Sequence, residues 1–191
     1  MRQLVRAALI FALVGIAWTG QAAQQPPGPQ PGDILPDFSL SDPGNAAQRA
    51  YLGILANDPF SLDQIPAPVV IIEIFSMYCP ICQKEAPKVN RLFQEIEANT
   101  GAKGRIKVIG IGVGNSAYEV QYYAKNYEVP FPLFADGDFS IHQKLGQVRT
   151  PYFIVLKRDA NGAQRVLYAQ LGEFDQPASF LEKIMNLAGL K

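Results

Sequence analysis

Val69-Val70-Ile71-Ile72-Glu73-Ile74-Phe75-Ser76-Met77-Tyr78-Cys79-Pro80-Ile81-Cys82 is the stretch on which the reading of this chain turns. It opens as an apolar run broken only by Glu73 and predicts a central strand over 68–75. It closes on the only two cysteines of the chain, and a helical pattern begins directly after them. Two thiols at this spacing, on a strand-to-helix junction, are placed for reversible disulfide chemistry. A helix N-terminus carries unpaired N–H groups and roughly half a positive charge. A thiolate at Cys79 is therefore stabilised, and its pKa falls below the free value of about 8.5. Cys82, one turn later, points back toward it. Cys79 is expected to attack a partner disulfide, and Cys82 to resolve the mixed disulfide that results.

Other uses of two cysteines fit less well. A tetrahedral zinc site needs four ligands. The chain has no second cysteine pair, and His142 is its one histidine. A purely structural disulfide between Cys79 and Cys82 would close too small a loop to remove much chain entropy. A c-type haem attachment needs a histidine after the second cysteine, where Gln83 stands. No metal or cofactor is expected beyond the redox-active Cys79–Cys82 pair.

Outward from this stretch, 191 residues suffice for one domain with a good core. Residues 1–22 read as a secretory signal: Arg2 and Arg6 start it, Ala7 to Trp18 is the apolar stretch, and Gly20 to Ala23 offers small residues for cleavage. The alternative is an uncleaved anchor over residues 4–19. Residues 23–33, rich in Pro, Gly and Gln, read as a linker, and residues 34–191 as the folded domain. Lys and Arg total 17, as do Asp and Glu; without Arg2 and Arg6 the basic count is 15. A slightly acidic mature domain argues against a nucleic-acid partner. Export places the cysteines in an oxidising compartment, read here as the periplasm.

The remaining pattern predicts a short strand at Asp37 to Leu40, a second at Gln48 to Leu55, and a turn at Asn57 to Pro59. A helix is expected over 80–99, with Lys84, Lys88 and Arg91 on a solvated face and Pro87 as a kink. There follow a strand at Ile106 to Val113, a helix at Ser116 to Tyr127 whose Tyr118, Tyr122 and Tyr123 serve packing, a strand at Pro130 to Ala135, a helix at Asp138 to Leu145, a hairpin of Tyr152 to Lys157 with Gln164 to Leu171, and a last helix at Pro177 to Leu187. This order predicts an α/β fold with a mixed central sheet flanked by helices.

The chain resembles the thioredoxin-like superfamily, and within it the exported TlpA/ResA-like thiol-disulfide oxidoreductases. The resemblance rests on Phe75 to Pro87, where Cys79, Cys82, Glu85 and Pro87 match the family pattern, and on Pro31 to Leu40, which looks like the family's N-terminal strand extension. Thr150-Pro151, opening a strand, is similar to the family's cis-proline site, which faces the disulfide and helps bind the partner backbone. Tyr78, where many members carry tryptophan, Pro80 and Ile81 complete the implied substrate-binding set. The resemblance implies protein-disulfide oxidoreductase activity on cysteines of exported proteins, with electrons from a membrane thiol donor, and a place in cytochrome c maturation. Pro80 and Ile81 offer no side-chain donor and no cation, which favours a reductant.

Two acids compete for proton transfer. Glu73 interrupts the central strand, where thioredoxin carries a buried acid. Glu85 lies three residues after Cys82, where the ResA-like group carries one. Both are candidates for tuning the cysteines. Arg149 is a candidate for partner contact, and His142 reads as a surface or satisfied histidine. Two other functions stay open. Ser76, three residues before Cys79, fits part of the peroxiredoxin pattern and an antioxidant thiol peroxidase, though Ile72 replaces its proline. Two thiolates could also bind Cu(I) as a Sco-like copper module, though the cysteine spacing is one residue short.

Overall fold

The computed structural model describes residues 28–55 and 59–190. The signal and anchor read in residues 1–22, the start of the linker through residue 27, and most of the turn at 57–59 lie outside the described residues. Along the chain the elements are β1 (Ser39–Leu40), α1 (Ala46–Leu52), β2 (Phe60–Ser61), β3 (Val69–Phe75), α2 (Pro80–Ala98), β4 (Ile106–Val113), α3 (Ala117–Asn126), β5 (Leu133–Asp136), α4 (Ser140–Lys144), β6 (Tyr152–Arg158), β7 (Gln164–Leu171) and α5 (Pro177–Ala188). Five of the strands form a mixed sheet in the order β5-β4-β3-β6-β7, and β1 pairs with β2 separately. β3, β4 and β5 run parallel, while β6 is antiparallel to β3 and β7 to β6.

β3 is the centre, with all seven of its residues buried. Strand alternation sends Val70, Ile72 and Ile74 to a core shared with Leu52, Phe60, Ile141 and Leu145. It sends Val69 and Ile71 to the opposite core, against Val89, Leu92 and Ile96 of α2 and Phe180 and Ile184 of α5. Each such aliphatic side chain contributes about 1.5–3 kcal/mol on full burial. The same alternation puts Glu73 on the α2 side, between Ile71 and Phe75.

The strand expected over Gln48 to Leu55 is instead the helix α1. Asn45 caps it by accepting the Gln48 N–H at 2.9 Å, and Gly53 ends it in the left-handed region at φ 71°. Tyr51 of α1 reaches β4, where its hydroxyl accepts the Val108 N–H at 2.8 Å. β5 pairs only from Gly110 onward, so Tyr51 satisfies an amide that β5 does not cover. Residues before 34 also pack against the domain: Pro29 is buried, its carbonyl accepts the Tyr152 hydroxyl at 3.0 Å, and the Gly32 N–H donates to the Val166 carbonyl at 2.8 Å. Tyr123 packs as expected, but Tyr118 and Tyr122 are exposed.

β4 crosses the sheet centre with two glycines. A Cβ on Gly110 would stand 2.4 Å from Leu133 and 3.2 Å from Phe75. Gly110→Ala is expected to lower unfolding free energy by about 1–3 kcal/mol through overpacking, read as a lower urea midpoint at unchanged slope. An unchanged midpoint would show that β5 moves aside without cost.

Candidate active site

The chain leaves the C-terminal end of β3 through Ser76-Met77-Tyr78 and turns into α2 at Cys79. Three side chains from elsewhere hold this short loop. Asn115, just past β4, accepts the Met77 N–H at 2.8 Å. Gln83 donates to the Met77 carbonyl at 2.7 Å. The Tyr78 hydroxyl bonds Glu119, the residue that also closes the capping box of α3 with Ser116. The buried Tyr123 hydroxyl donates to the Cys82 carbonyl at 3.0 Å and so fixes the first turn of α2 from the side.

Cys79 is the N-cap of α2 and Pro80 follows it at the first helical position, where no amide is lost. The Cys82 N–H donates to Cys79 Sγ at 3.3 Å. Cys79 Sγ–H donates to the Thr150 carbonyl at 3.5 Å, and the Thr150–Pro151 peptide bond is cis, as the sequence suggested. Both cysteines are free thiols; Cys82 is buried and Cys79 partly exposed. Tyr78 (65% exposed), Pro80 and Ile81 (49% exposed) surround Cys79 at the surface. A groove of about 450 Å³ runs beside them, lined by Ser76, Tyr78, Phe139, His142, Arg149 and Thr150. A larger cavity of about 570 Å³, between α2 and α5 at Glu95, Leu181 and Met185, shares no residue with this site.

The two thiols are electrostatically opposite. Burial works against ionising Cys79, but hydrogen bonds from the Cys82 thiol, from the Thr150 side chain and from the Cys82 and Ile81 amides outweigh it and bring this thiol below its ordinary value. Burial pushes Cys82 far up, helped by its hydrogen bond to Cys79 and by the negative charges of Cys79 and Glu73. Glu73, only 2% exposed, has an Oε1 with no hydrogen-bond partner. Burial, then Glu85 and Cys79, push its carboxyl from 4.5 up to about 8. Glu85, with no exposed surface, is also raised by burial, but its ion pair with Lys88 at 2.9 Å and the Phe174 N–H at 3.2 Å pull the other way.

Cys79, Cys82, Tyr78, Pro80, Ile81 and Thr150 therefore stand together past the C-terminal end of β3, with Glu73 buried within electrostatic reach of both thiols and Glu85 buried on α2. Lys88 is the exception to its expected role: it does not stand on a free solvated face but turns inward to Glu85. Nothing in the sequence pattern marks Asn115 or Phe174, Gln83 stands out only as the absence of a haem-binding histidine, and Tyr123 only as a packing residue. His142 does not face the sulfurs through Nε2, which meets the Val148 carbonyl at 2.8 Å and ties down the loop that leads to Thr150. Among the described residues no group of three or more His, Cys, Asp and Glu side chains is placed to hold a metal.

Comparison with known proteins agrees with this geometry. Residues 31–170 match the AhpC/TSA family. The thiol-disulfide oxidoreductase ResA of Halalkalibacterium halodurans is 22% identical over 124 residues, which cover 65% of this chain and 68% of that protein. Among solved structures, StoA from Bacillus subtilis superposes with a TM-score of 0.54 at 16% identity, over 80% of this chain and 98% of StoA. The peroxidoxin BcpB from Mycobacterium tuberculosis gives 0.60 at 18% identity, over 85% of this chain and 99% of BcpB. These superpositions establish the thioredoxin-like fold.

The raised carboxyl of Glu73 links stability to pH. Its folded value of about 8 lies above its ordinary 4.5, so the folded state holds the proton more tightly. The stability this contributes is fully present below 4.5 and is lost as pH rises to about 8. Urea midpoints of the reduced protein are expected to fall across that window, and Glu73→Gln to flatten the fall. A variant that declines as steeply as the parent would assign the effect to other groups.

Proposed function

The chain belongs to the AhpC/TSA family, and we propose that within it the protein works as an exported reductant of cysteine pairs in other exported proteins. It is a thiol-disulfide oxidoreductase of thioredoxin-like fold. The observation that carries the reading is the opposed ionisation of two free thiols on the first turn of α2. Cys79 is the group ready to attack, and Cys82 is kept as a thiol until it is needed.

The Cys79 thiolate attacks one sulfur of a partner disulfide. A Cys79–partner bond forms, the partner S–S bond breaks, and the partner's other sulfur leaves as a thiolate. Cys82 then loses its proton to a neighbouring carboxylate and attacks Cys79 Sγ. The Cys79–Cys82 bond forms and the partner leaves reduced. Two electrons and two protons from a membrane thiol donor restore the dithiol. Tyr78, Pro80, Ile81 and the Thr150–Pro151 backbone form the surface against which the partner lies. The Thr150 carbonyl stands 3.5 Å from Cys79 Sγ, beside the reacting atom. The stabilisation of Cys79 comes from neutral donors, which supports a reductant over a strong oxidant. Export rests on Arg2, Arg6 and the apolar stretch Ala7 to Trp18, with the periplasm as the compartment and cytochrome c maturation as the setting; no helix among the described residues is long and apolar enough to cross a membrane.

A second reading, thiol peroxidase, is favoured by the family match and by the likeness to BcpB. Peroxide would convert Cys79 to a sulfenic acid, and Cys82 would condense with it to a disulfide and water. Fast peroxide consumption that outruns disulfide exchange would favour it. A copper module that needs His142 fits poorly, since Nε2 of that residue already meets Val148.

Cys82→Ser is expected to accumulate mixed disulfides through Cys79, and Cys79→Ser to accumulate none; equal trapping by both would overturn the assigned roles. Direction is read from the reduction potential of the pair in defined thiol buffers. A value at or below about −250 mV, close to the thioredoxin range, fits a reductant, while one near about −120 mV marks a protein that inserts disulfides.

A further inference from the structure

The groove beside Cys79 holds an aromatic residue that its own turn does not explain. Phe139 is the N-cap of α4 and lies in the left-handed region, at φ 62° and ψ 16°, with no side-chain bond to the helix. That conformation suits glycine, asparagine or aspartate, and a bulky aromatic residue is strained in it. The start of α4 is capped from elsewhere. Asp136 accepts the Ile141 and His142 N–H groups at 2.9 and 2.8 Å, and Asp138 accepts that of Ser140 at 3.1 Å. Nor does burial account for the ring, which is 46% exposed. It lies against Gly114, where a Cβ would stand 2.7 Å from its Cζ. A side chain at 114 would displace the ring, so the glycine and the strained turn together set it in the groove wall.

The same groove carries one permanent charge. Among its lining residues only Arg149 is a permanent ion. Its side chain is exposed and takes no part in the ion pairs formed among the described residues. Its backbone is fixed on both sides. Gly146 and Gln147 turn the chain with φ of 77° and 54°. The Gln147 N–H donates to the His142 carbonyl at 2.9 Å, and His142 Nε2 meets the Val148 carbonyl at 2.8 Å. On the other side stands Thr150, whose carbonyl is 3.5 Å from Cys79 Sγ. The acids bonded to groove residues or adjoining them have partners of their own: Glu119 holds Tyr78 and the Ser116 cap, and Asp138 holds the Ser140 N–H. Arg149 is thus a cation without a counter-charge, next in the chain to the residue beside the reacting sulfur.

A carboxylate is attracted to such a cation, and an apolar side chain gains by leaving water for an exposed aromatic ring. We propose that this groove reads the sequence around the partner's cysteine: Phe139 with Tyr78 takes an apolar side chain, and Arg149 takes a carboxylate. The proposal deepens the thiol-disulfide reading and rests on it. It names the substrate class as extended disulfide-bonded segments in which the attacked cysteine stands between an acidic and an apolar residue. A groove of about 450 Å³ has the size of a small-ligand pocket and suits two side chains rather than a folded face. Phe139 and Arg149 determine specificity and leave the bond exchange as it is. Cys79 Sγ bonds to the partner's cysteine sulfur, and the other sulfur of that disulfide leaves as a thiolate. Holding the flanking residues places the attacked sulfur beside Cys79 and raises the rate for matching sequences.

The test uses the reduced full chain and short peptides, blocked at both ends, whose single cysteine is a mixed disulfide with thionitrobenzoate. Attack of Cys79 on the peptide sulfur releases the coloured thiolate. Its second-order rate constant is divided by that of the same peptide with dithiothreitol, which removes differences in the peptide's own reactivity. The peptides carry Asp, Asn or Lys on one side of the cysteine and Phe or Ala on the other, in both orders. The parent is expected to prefer Asp over Lys by about three- to fivefold, less as salt is added, and Phe over Ala by about fivefold. Arg149→Glu is expected to reverse the charge preference, and Arg149→Lys to keep its sign. Phe139→Asn is expected to lose the preference for Phe and to raise the urea midpoint, because asparagine fits a left-handed N-cap. Equal rates from all peptides, or a preference for Asp that survives Arg149→Glu, overturn the proposal. A midpoint lowered by Phe139→Asn would assign the ring to packing and overturn its part in recognition. Release from no peptide would overturn the thiol-disulfide reading and this proposal with it, whereas release without preference overturns this proposal alone.

Discussion

The attachment of the first turn of α2 to the end of β3 is the constraint on which the site depends. β3 is sealed on both faces, so its end point in space is set by the sheet and not by the loop that follows. That loop must satisfy its own backbone groups where strand pairing has stopped. Asn115 and Gln83 do so for the two polar groups of Met77, and Tyr123 does so for the Cys82 carbonyl. Leaving such a buried group unpaired costs about 1–3 kcal/mol. Small displacements of the turn are therefore unfavourable, and Cys79 Sγ stays in the N-cap position with the Cys82 amide directed at it.

Once that geometry is set, the difference between the two thiols follows from position alone. They are chemically identical residues a single helical turn apart. One sits where amides converge and a negative charge is welcome. The other is buried on the inner side of the helix, in a low-dielectric space within reach of the Glu73 carboxyl. Nothing in the dipeptide Pro80-Ile81 adds charge to either. The proposed division into attacking and resolving cysteine is thus a consequence of where the strand ends and how deep the first turn lies.

What the sequence makes legible is what is periodic or local. β3, α2, β4, the β6–β7 hairpin and α5 stand out because their apolar spacing is regular, and Cys79, Cys82, Glu85 and Thr150-Pro151 because they are motif positions. The strand expected over Gln48 to Leu55 misses α1, because the segment is short and carries apolar residues at Tyr51, Leu52, Ile54 and Leu55. Its true state is decided by two punctuation residues, Asn45 and Gly53, whose capping outweighs that composition. The supports of the site were hidden for a different reason. Asn115 meets Met77 across 38 residues, Tyr123 meets Cys82 across 41, and Lys88 meets Phe174 across 86. The Glu85–Lys88 spacing is visible on any helical wheel, but a lysine beside a glutamate reads as a solvated pair until the β7–α5 connection is folded over it.

Glu73 is the one residue of β3 that the fold does not explain. Valine or isoleucine there would complete the apolar run, pack between Ile71 and Phe75, and remove an oxygen that has no donor. Burying such a group is unfavourable for stability. The proposed function gives it a use through Cys82, which is buried and held as a thiol and in that proposal must lose a proton to resolve a mixed disulfide. A water-exposed carboxylate would be too weak a base for that near neutral pH. The burial that makes Glu73 unfavourable for the strand is also what raises its proton affinity toward neutral pH.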